Sequence, residues 1–501
     1  MAITDRHAAT GVQTFDSVSP ATGEKVGTFP VDGPEQVAAA VSRACQAARW
    51  WAGLGFAGRR RRLLAFKGLL ARRGEELCDL IHLENGKPHD DAFIEVLLVT
   101  EHLDWAAHKA ARALRPRRVA PTLLARNHSA RVEYQPLGVV GVIGPWNYPL
   151  FTPLGSISYA LAAGNAVVFK PSEHTPAVGR WLADAFAEVV PEQPVLQVVT
   201  GFGATGDALC RAGVDKLSFT GSAATGRKVM AACAERLTPV LLELGGKDAM
   251  IVDDDADLDA AARAAVWGGI ANAGQTCIGI ERVYAVDPIY DRFVEKVVQR
   301  AAKLRAGPGP DADLGPITMP GQLEVIRRHL DDALARGARA LVGGAGAVHP
   351  PYVEPVVLVD VPEDALVMVE ETFGPVLPVV RVHDADEALA RANAGSYGLG
   401  GAVFGRRRAT RLARALRAGM ISVNSVQTFA LVPGLPFGGV GESGFGRVHG
   451  EQGLRELSSA KALVRQRVRL PFDLTSFERP DRAVDALARL TRLRHAGGRR
   501  R

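Results

Sequence analysis

The chain has 501 residues, of which 47% are hydrophobic and 23% charged, with a formal net charge of +6. This is the profile of an ordinary globular protein, since disorder requires low hydrophobicity together with high net charge. The length leads us to expect two to three domains. No apolar run approaches the roughly 20 residues that span a bilayer, and residues 1–11 (MAITDRHAATG) have no apolar h-region of a secretory signal. The pI of about 9.1 comes from arginine spread along the chain, dense only in the last twenty residues, so nucleic acid is not an expected partner. Five cysteines (Cys45, Cys78, Cys210, Cys233, Cys277) form no CxxC pair, which excludes a disulfide framework or zinc site and fits a reducing, cytoplasmic setting.

Taken in chain order, apolar residues at helical spacing predict helices over 34–51, 59–84 (closed by Asn85-Gly86) and 89–114. The period changes over 120–135, where short alternating runs predict a β-hairpin. From residue 137 strand and helix alternate: strands at 139–143, 166–169, 195–199 and 216–219, with helices at 153–163, 177–190, 204–211 and 224–237. A second series gives strands at 249–252 and 282–286 with helices at 258–272 and 290–305, and the pattern runs on to about residue 425. Continuous apolar strands between helices predict parallel sheets covered on both faces, hence an α/β, doubly wound architecture.

Four groups of residues carry candidate chemistry. In Asn272-Ala273-Gly274-Gln275-Thr276-Cys277 a cysteine sits among glycine and small polar residues at a helix end, which suits a nucleophile better than core packing. A buried, inert thiol is the alternative. In Leu242-Glu243-Leu244-Gly245-Gly246-Lys247 a carboxylate stands on an apolar strand. Desolvation there would raise its pKa toward that of a general base, unless an arginine pairs with it. Gly144-Pro145-Trp146-Asn147-Tyr148-Pro149 follows the strand at 139–143, at the sheet end where ligands collect. Asn147 could donate to an oxyanion, or serve as a turn residue.

Two glycine-rich turns join strand to helix. Residues 201–206 read literally G-x-G-x-x-G, and Gly203 is kept as a candidate cofactor contact although a lone match is weak. The other turn, with Gly221, Ser222 and Gly226, could hold a pyrophosphate at a helix N-terminus. Arg227 and Lys228 depart from the Walker A pattern, which argues against an NTPase.

Together these motifs resemble the aldehyde dehydrogenase superfamily. In the family's order run Pro145-Trp146-Asn147-Tyr148-Pro149, Lys170-Pro171-Ser172-Glu173, Phe219-Thr220-Gly221-Ser222, Glu243-Leu244-Gly245-Gly246-Lys247, Gly274-Gln275-Thr276-Cys277 and Glu371-Thr372-Phe373-Gly374-Pro375. Pro436-Phe437-Gly438-Gly439 follows, and the likeness covers about residues 15 to 470. It implies Cys277 as nucleophile, Asn147 as oxyanion donor and Glu243 as general base. It implies Lys170 and Glu173 at the adenine ribose, Ser172 as a further cofactor contact, Ser222 within the 221–226 loop at the pyrophosphate, Glu371 at the nicotinamide ribose, Phe373 beside the nicotinamide, and Trp146 and Leu244 as cofactor contacts lining the reaction centre.

The resemblance further implies a Rossmann-like NAD-binding domain (1–117 and 137–244), a catalytic domain (245–445) and an oligomerisation element (118–136 with 455–467), hence a homodimer or homotetramer with no metal. Glu173 favours NAD over NADP, because a carboxylate binds the ribose 2′-OH and repels a 2′-phosphate. The substrate loops, 150–154 and 426–433, are apolar and without arginine, which favours an uncharged aliphatic or aromatic aldehyde. A succinate-semialdehyde type is the alternative, because Ile278-Gly279-Ile280-Glu281-Arg282 resembles some bacterial members of that group. Glu243 argues against a CoA-acylating member. A catalytically silent protein on this fold would have lost Cys277, Glu243 or Asn147. Residues 471–501 form a basic extension with Val484, Leu487, Leu490 and Leu493 along one helical face. Docking on a partner subunit is the preferred reading over contact with an anionic membrane surface.

Overall fold

The computed structural model of the chain describes residues 13–309, 311–469, 476–478 and 480–496. It divides into two compact units: residues up to 114 with 135–459, and 115–134 with residues from 460 on.

The larger unit holds two sheets built from buried, Val/Ile/Leu-rich strands. The first has six strands in the spatial order Gly444–Phe445, Val240–Glu243, Lys216–Thr220, Val139–Ile143, Ala166–Lys170, Leu196–Val198. All neighbours are parallel except the edge pair, where Gly444 lies opposite Glu243. Every residue of Val139–Ile143 is buried, as a strand covered on both faces requires. Its neighbours are the next strand in sequence on one side and a later one on the other. Residues 144–149 therefore leave the sheet at its topological switch point, where a crevice opens between diverging helices.

The second sheet has seven strands, ordered Arg339–Val342, Val356–Val359, Val376–Val382, Ile280–Val286, Asp248–Val252, Gly400–Phe404, Met420–Val423. Only Arg339–Val342 runs antiparallel. Its core is a continuous apolar cluster centred on Met250, Val283, Tyr284 and Val403, all 0% exposed.

The expected single helix over 59–84 is two, Gly55–Arg72 and Gly74–Asn85. Periodicity does not show the break, because apolar residues continue through it. Arg73 leaves helical geometry (φ −104°, ψ 24°), and its guanidinium grips Glu76 in the new first turn through two bonds of 2.7 Å. An N-terminal hairpin, Thr14–Val18 with Lys25–Pro30, was not anticipated.

The smaller unit contains a three-stranded sheet ordered Ser458–Gln466, His128–Pro136, Arg117–Val119, with Arg117 opposite Val132. It also contains the helix Asp481–His495, no residue of which is buried. Residues 497–501, including the terminal Arg499, Arg500 and Arg501, lie outside the described residues. Among the described residues no helix is long and apolar enough to cross a membrane.

Candidate active site

Cys277 sits on a loop whose shape is set by three successive left-handed residues, Asn272 (φ 55°), Ala273 (φ 53°) and Gly274 (φ 71°). Such a run costs of order 1–3 kcal/mol per non-glycine residue and persists only where the surroundings fix it. Here Asn272 Nδ2 donates to Gln275 O at 3.1 Å and to Asn147 O at 3.2 Å. Gln275 Nε2 donates to Asn272 O (3.0 Å) and Pro316 O (3.2 Å). Gly274 lies against Gly374 with no space for a side chain.

Asn147 reaches this loop from the switch point. Its Nδ2 donates to Gln275 O at 2.9 Å. A primary amide has two N–H groups, so one remains for another acceptor. The neighbouring Tyr148 hydroxyl bonds Thr276 Oγ1 at 3.0 Å.

Glu243 ends the strand Val240–Glu243 and is 3% exposed. Burial pushes its carboxyl up to about 7, with hydrogen bonds from Cys277 and Thr220 pulling modestly the other way. One of its oxygens, Oε1, has no partner among the described residues. The Cys277 thiol is raised well above its usual value, first by burial and then by the carboxylates of Glu243, Glu371 and Asp248. The resting pair is thus a thiol beside a carboxyl that titrates near neutrality.

Both residues line a cavity of about 350 Å³. Its walls come from the helix His89–Ala113 (Asp91, Ile94, Leu97, Leu98), from Phe151, Thr152 and Ser156, from Trp267, and from residues 426–449 including Leu431, Phe437 and His449. Among the described residues neither lysine nor arginine lines it, and its charged groups are the two carboxylates of Asp91 and Glu243. Leu97, Trp267 and Leu431 leave about half their surface exposed, and they too line the cavity.

The remaining candidate residues gather in two clusters. Glu371 accepts from Gly246 N at 3.0 Å, and burial with the nearby Glu281 carboxylate pushes it up to about 8. Trp146 and Phe373 meet edge to face with ring centroids 5.5 Å apart. Leu244 packs over Gly226, where a Cβ would come within 2.7 Å of its side chain. In the second cluster Lys170 is 4% exposed, donates to Pro171 O at 2.9 Å and lies 3.7 Å from Glu173 Oε2. Ser172 Oγ accepts from His174 N. A Cβ on Gly206 would touch the Lys170 stem at 3.7 Å, and at Gly203 it would meet open space. Ser222 caps the helix Ala223–Ala234 by accepting from Thr225 N, with Gly221 just ahead of it.

Two buried ion pairs support these loops and were missed from sequence. Lys87 and Glu95 lie 2.5 Å apart with wholly buried side chains. Lys87 Nζ also donates to Asn147 O at 2.8 Å, and Glu95 Oε2 accepts from Leu150 N and Phe151 N. Lys247 pairs with Glu281, whose carboxylate accepts from Thr372 N (2.8 Å) and Phe373 N (3.0 Å). Lys247 and Glu281 are 34 positions apart, beyond any local period, and Lys87, only eight positions before Glu95, stands in a polar turn that reads as solvent-exposed.

The model of the aldehyde dehydrogenase family matches residues 7–463. The chain is 39% identical to 4,4′-diapolycopene aldehyde oxidase of Methylomonas sp over 91% of its length and 87% of the relative's. It is 36% identical to the NADP(+)-dependent succinate-semialdehyde dehydrogenase of Escherichia coli K12, over 90% and 94%. The crystal structure of an NAD-dependent aldehyde dehydrogenase from Sinorhizobium meliloti superposes with a TM-score of 0.88 at 34% identity, covering 93% of each chain. The chain belongs to the aldehyde dehydrogenase family, whose members are oxidoreductases that use NAD(P).

Proposed function

We propose that this enzyme oxidises an uncharged aliphatic or aromatic aldehyde to its carboxylic acid with NAD, through covalent intermediates on Cys277. The observation that carries the substrate class is the lining of the cavity: apolar walls, two carboxylates and, among the described residues, no lysine or arginine. A substrate carboxylate would lose its hydration there and gain no charge partner, and it would be repelled by Asp91.

In this reading Cys277 Sγ adds to the aldehyde carbon to give a thiohemiacetal. The free N–H of the Asn147 amide and the Cys277 backbone N–H receive the developing oxyanion. Bound NAD(P) supplies the hydride acceptor. The thioester left on Cys277 is hydrolysed by water whose proton Glu243 takes, a role suited to a base titrating near 7.

The cofactor fits the residues present. The twelve-residue helix Ala223–Ala234 offers its N-terminus behind Gly221 and Ser222, and the open space over Gly203 leaves room at the start of the helix whose Gly206 faces the Lys170 stem. Lys170 and Glu173, with Ser172 between them, would hold the adenosine ribose, the loop from Gly221 to Gly226 the pyrophosphate and Glu371 the second ribose, while Phe373 would lie beside the nicotinamide and Trp146 and Leu244 would line the reaction centre. We assign residues up to 117 with 137–244 to cofactor binding and 245–445 to catalysis. The Glu173 carboxylate favours NAD over NADP. The three-stranded sheet exposes Val119 and Val464, and the turn between two of its strands exposes Leu124, which supports a homo-oligomer.

A succinate-semialdehyde activity is the second reading, favoured by the relative of that name and by residues 278–282. NADH formation with a panel of alkanals, aromatic aldehydes and succinate semialdehyde, each with NAD and NADP, tests both. Higher kcat/KM for succinate semialdehyde would overturn the first reading, and a strong NADP preference would overturn the cofactor assignment.

A further inference from the structure

Within the apolar cavity one polar side chain is out of keeping. His449 lines it, is 4% exposed, and its ring nitrogens have no hydrogen-bond partner among the described residues. Three other polar groups of the lining are committed inside the protein: Gln427 donates to Ile278 O, Ser156 bonds Ser218 and Tyr148 bonds Thr276. A buried polar group without a partner is costly, and native proteins satisfy nearly all of them.

Two features show that this imidazole is held in place deliberately. The His449 backbone has φ 62° and ψ 167°, a region occupied almost solely by glycine and costing a side chain of order 1–3 kcal/mol. The ring also rests on Gly155, where a Cβ would come within 2.6 Å of Nε2. Beside it stands a second buried imidazole, His102, with ring centroids 4.1 Å apart. His102 Nε2 donates to Ala430 O at 2.9 Å, which leaves its Nδ1 as a lone pair, also without a partner. Burial, and then the neighbouring His102, hold His449 well below its usual value, so the ring is neutral. It presents one donor and one acceptor rather than a charge.

We propose that His449 is a specificity-determining residue that hydrogen-bonds a hydroxyl group carried on the otherwise apolar body of the substrate. A hydroxyl donates and accepts, so it meets the ring in either tautomer. A carboxylate would bring a negative charge into a cavity whose own charged groups, Asp91 and Glu243, carry the same sign. This inference rests on the proposal of an uncharged aldehyde substrate and narrows it to hydroxylated members of that class.

The test compares pairs of aldehydes that differ only by a hydroxyl, such as straight-chain alkanals and their ω-hydroxy counterparts from butanal to dodecanal. In the wild-type enzyme at least one hydroxylated member should exceed its parent alkanal in kcat/KM by roughly tenfold or more. In His449→Leu that preference should collapse toward one while parent-alkanal turnover persists. His449→Asn, which tolerates positive φ and keeps an amide, should retain part of it. Equal kcat/KM for every pair in the wild type, or an undiminished preference in folded His449→Leu, overturns the assignment and leaves the uncharged-aldehyde reading standing. Preference for ω-carboxylated aldehydes overturns both. Should His449→Leu fail to fold, the wild-type pairs and His449→Asn still decide.

Discussion

The side-chain amide of Asn147 donates to the backbone carbonyl of Gln275 at 2.9 Å. That bond ties the loop at the sheet's switch point to the loop carrying Cys277, so the second amide N–H and the sulfur move as one assembly. Asn147→Ala removes both the tie and the oxyanion donor. It should lower kcat by about 10²–10³, with KM changing much less and the far-UV spectrum unchanged. Loss confined to KM would place Asn147 outside transition-state stabilisation.

Cys277→Ala should abolish aldehyde oxidation and any esterase side reaction, because both need the sulfur. Stopped-flow absorbance with excess enzyme is the sensitive check. Substantial single-turnover NADH formation in this variant would move the nucleophile elsewhere. Cys210 and Cys233, the next thiols to consider, are both buried.

Glu243→Gln should spare acylation and slow deacylation, giving a pre-steady-state burst of NADH followed by slow turnover. Wild-type kcat should rise as pH climbs through about 7, where this carboxyl loses its proton, and the variant should lack that limb. Stability carries the opposite sign. The folded protein holds this proton at about 7 against an ordinary 4.5, so its stabilising contribution is full below 4.5 and lost as pH rises through 7. The Tm of Glu243→Gln should therefore fall less than that of wild type across the same range. Parallel Tm curves would show that Glu243 is not desolvated in solution.

The buried pair Lys87–Glu95 holds the loop of Asn147 through Lys87 Nζ on Asn147 O and Glu95 on Leu150 N and Phe151 N. Lys87→Met should cost about 3–5 kcal/mol, because it strands the Glu95 carboxylate. The double change Lys87→Met with Glu95→Leu should recover much of that stability yet leave kcat depressed, since the loop keeps no clamp. Full recovery of kcat in the double variant would reduce the pair to a structural role.

What the sequence made legible follows from locality. The strand Val139–Ile143 is a run of apolar residues between turn residues, and its ends can be read to the residue. Glu243 and Cys277 are each marked by neighbours that suit no packing role. The clamp of Lys87 and Glu95 on Asn147 joins residues some sixty positions apart, and no period encodes it. The break at Arg73 was hidden for a related reason: the apolar stripe of 59–84 continues while a guanidinium–carboxylate contact redirects the backbone. His449 was invisible because its meaning lies in what it lacks, a partner, and in a backbone angle that residue type alone does not reveal.

The helix Asp481–His495 leaves Val484 47%, Leu490 38% and Leu493 84% exposed, on an element whose last turn carries Arg492, Arg494 and His495. An apolar stripe this short is thin for membrane insertion, and it is bounded by Gly497-Gly498 in the sequence. Docking on a second copy of the chain accounts for it with less burial. Ending the chain at Arg469 should then lower the midpoint of subunit dissociation on dilution, followed by light scattering, with no change in retention on anionic vesicles. Salt-sensitive vesicle binding by the full chain, lost on truncation while the oligomer stays intact, would reverse that order and make the helix a membrane contact.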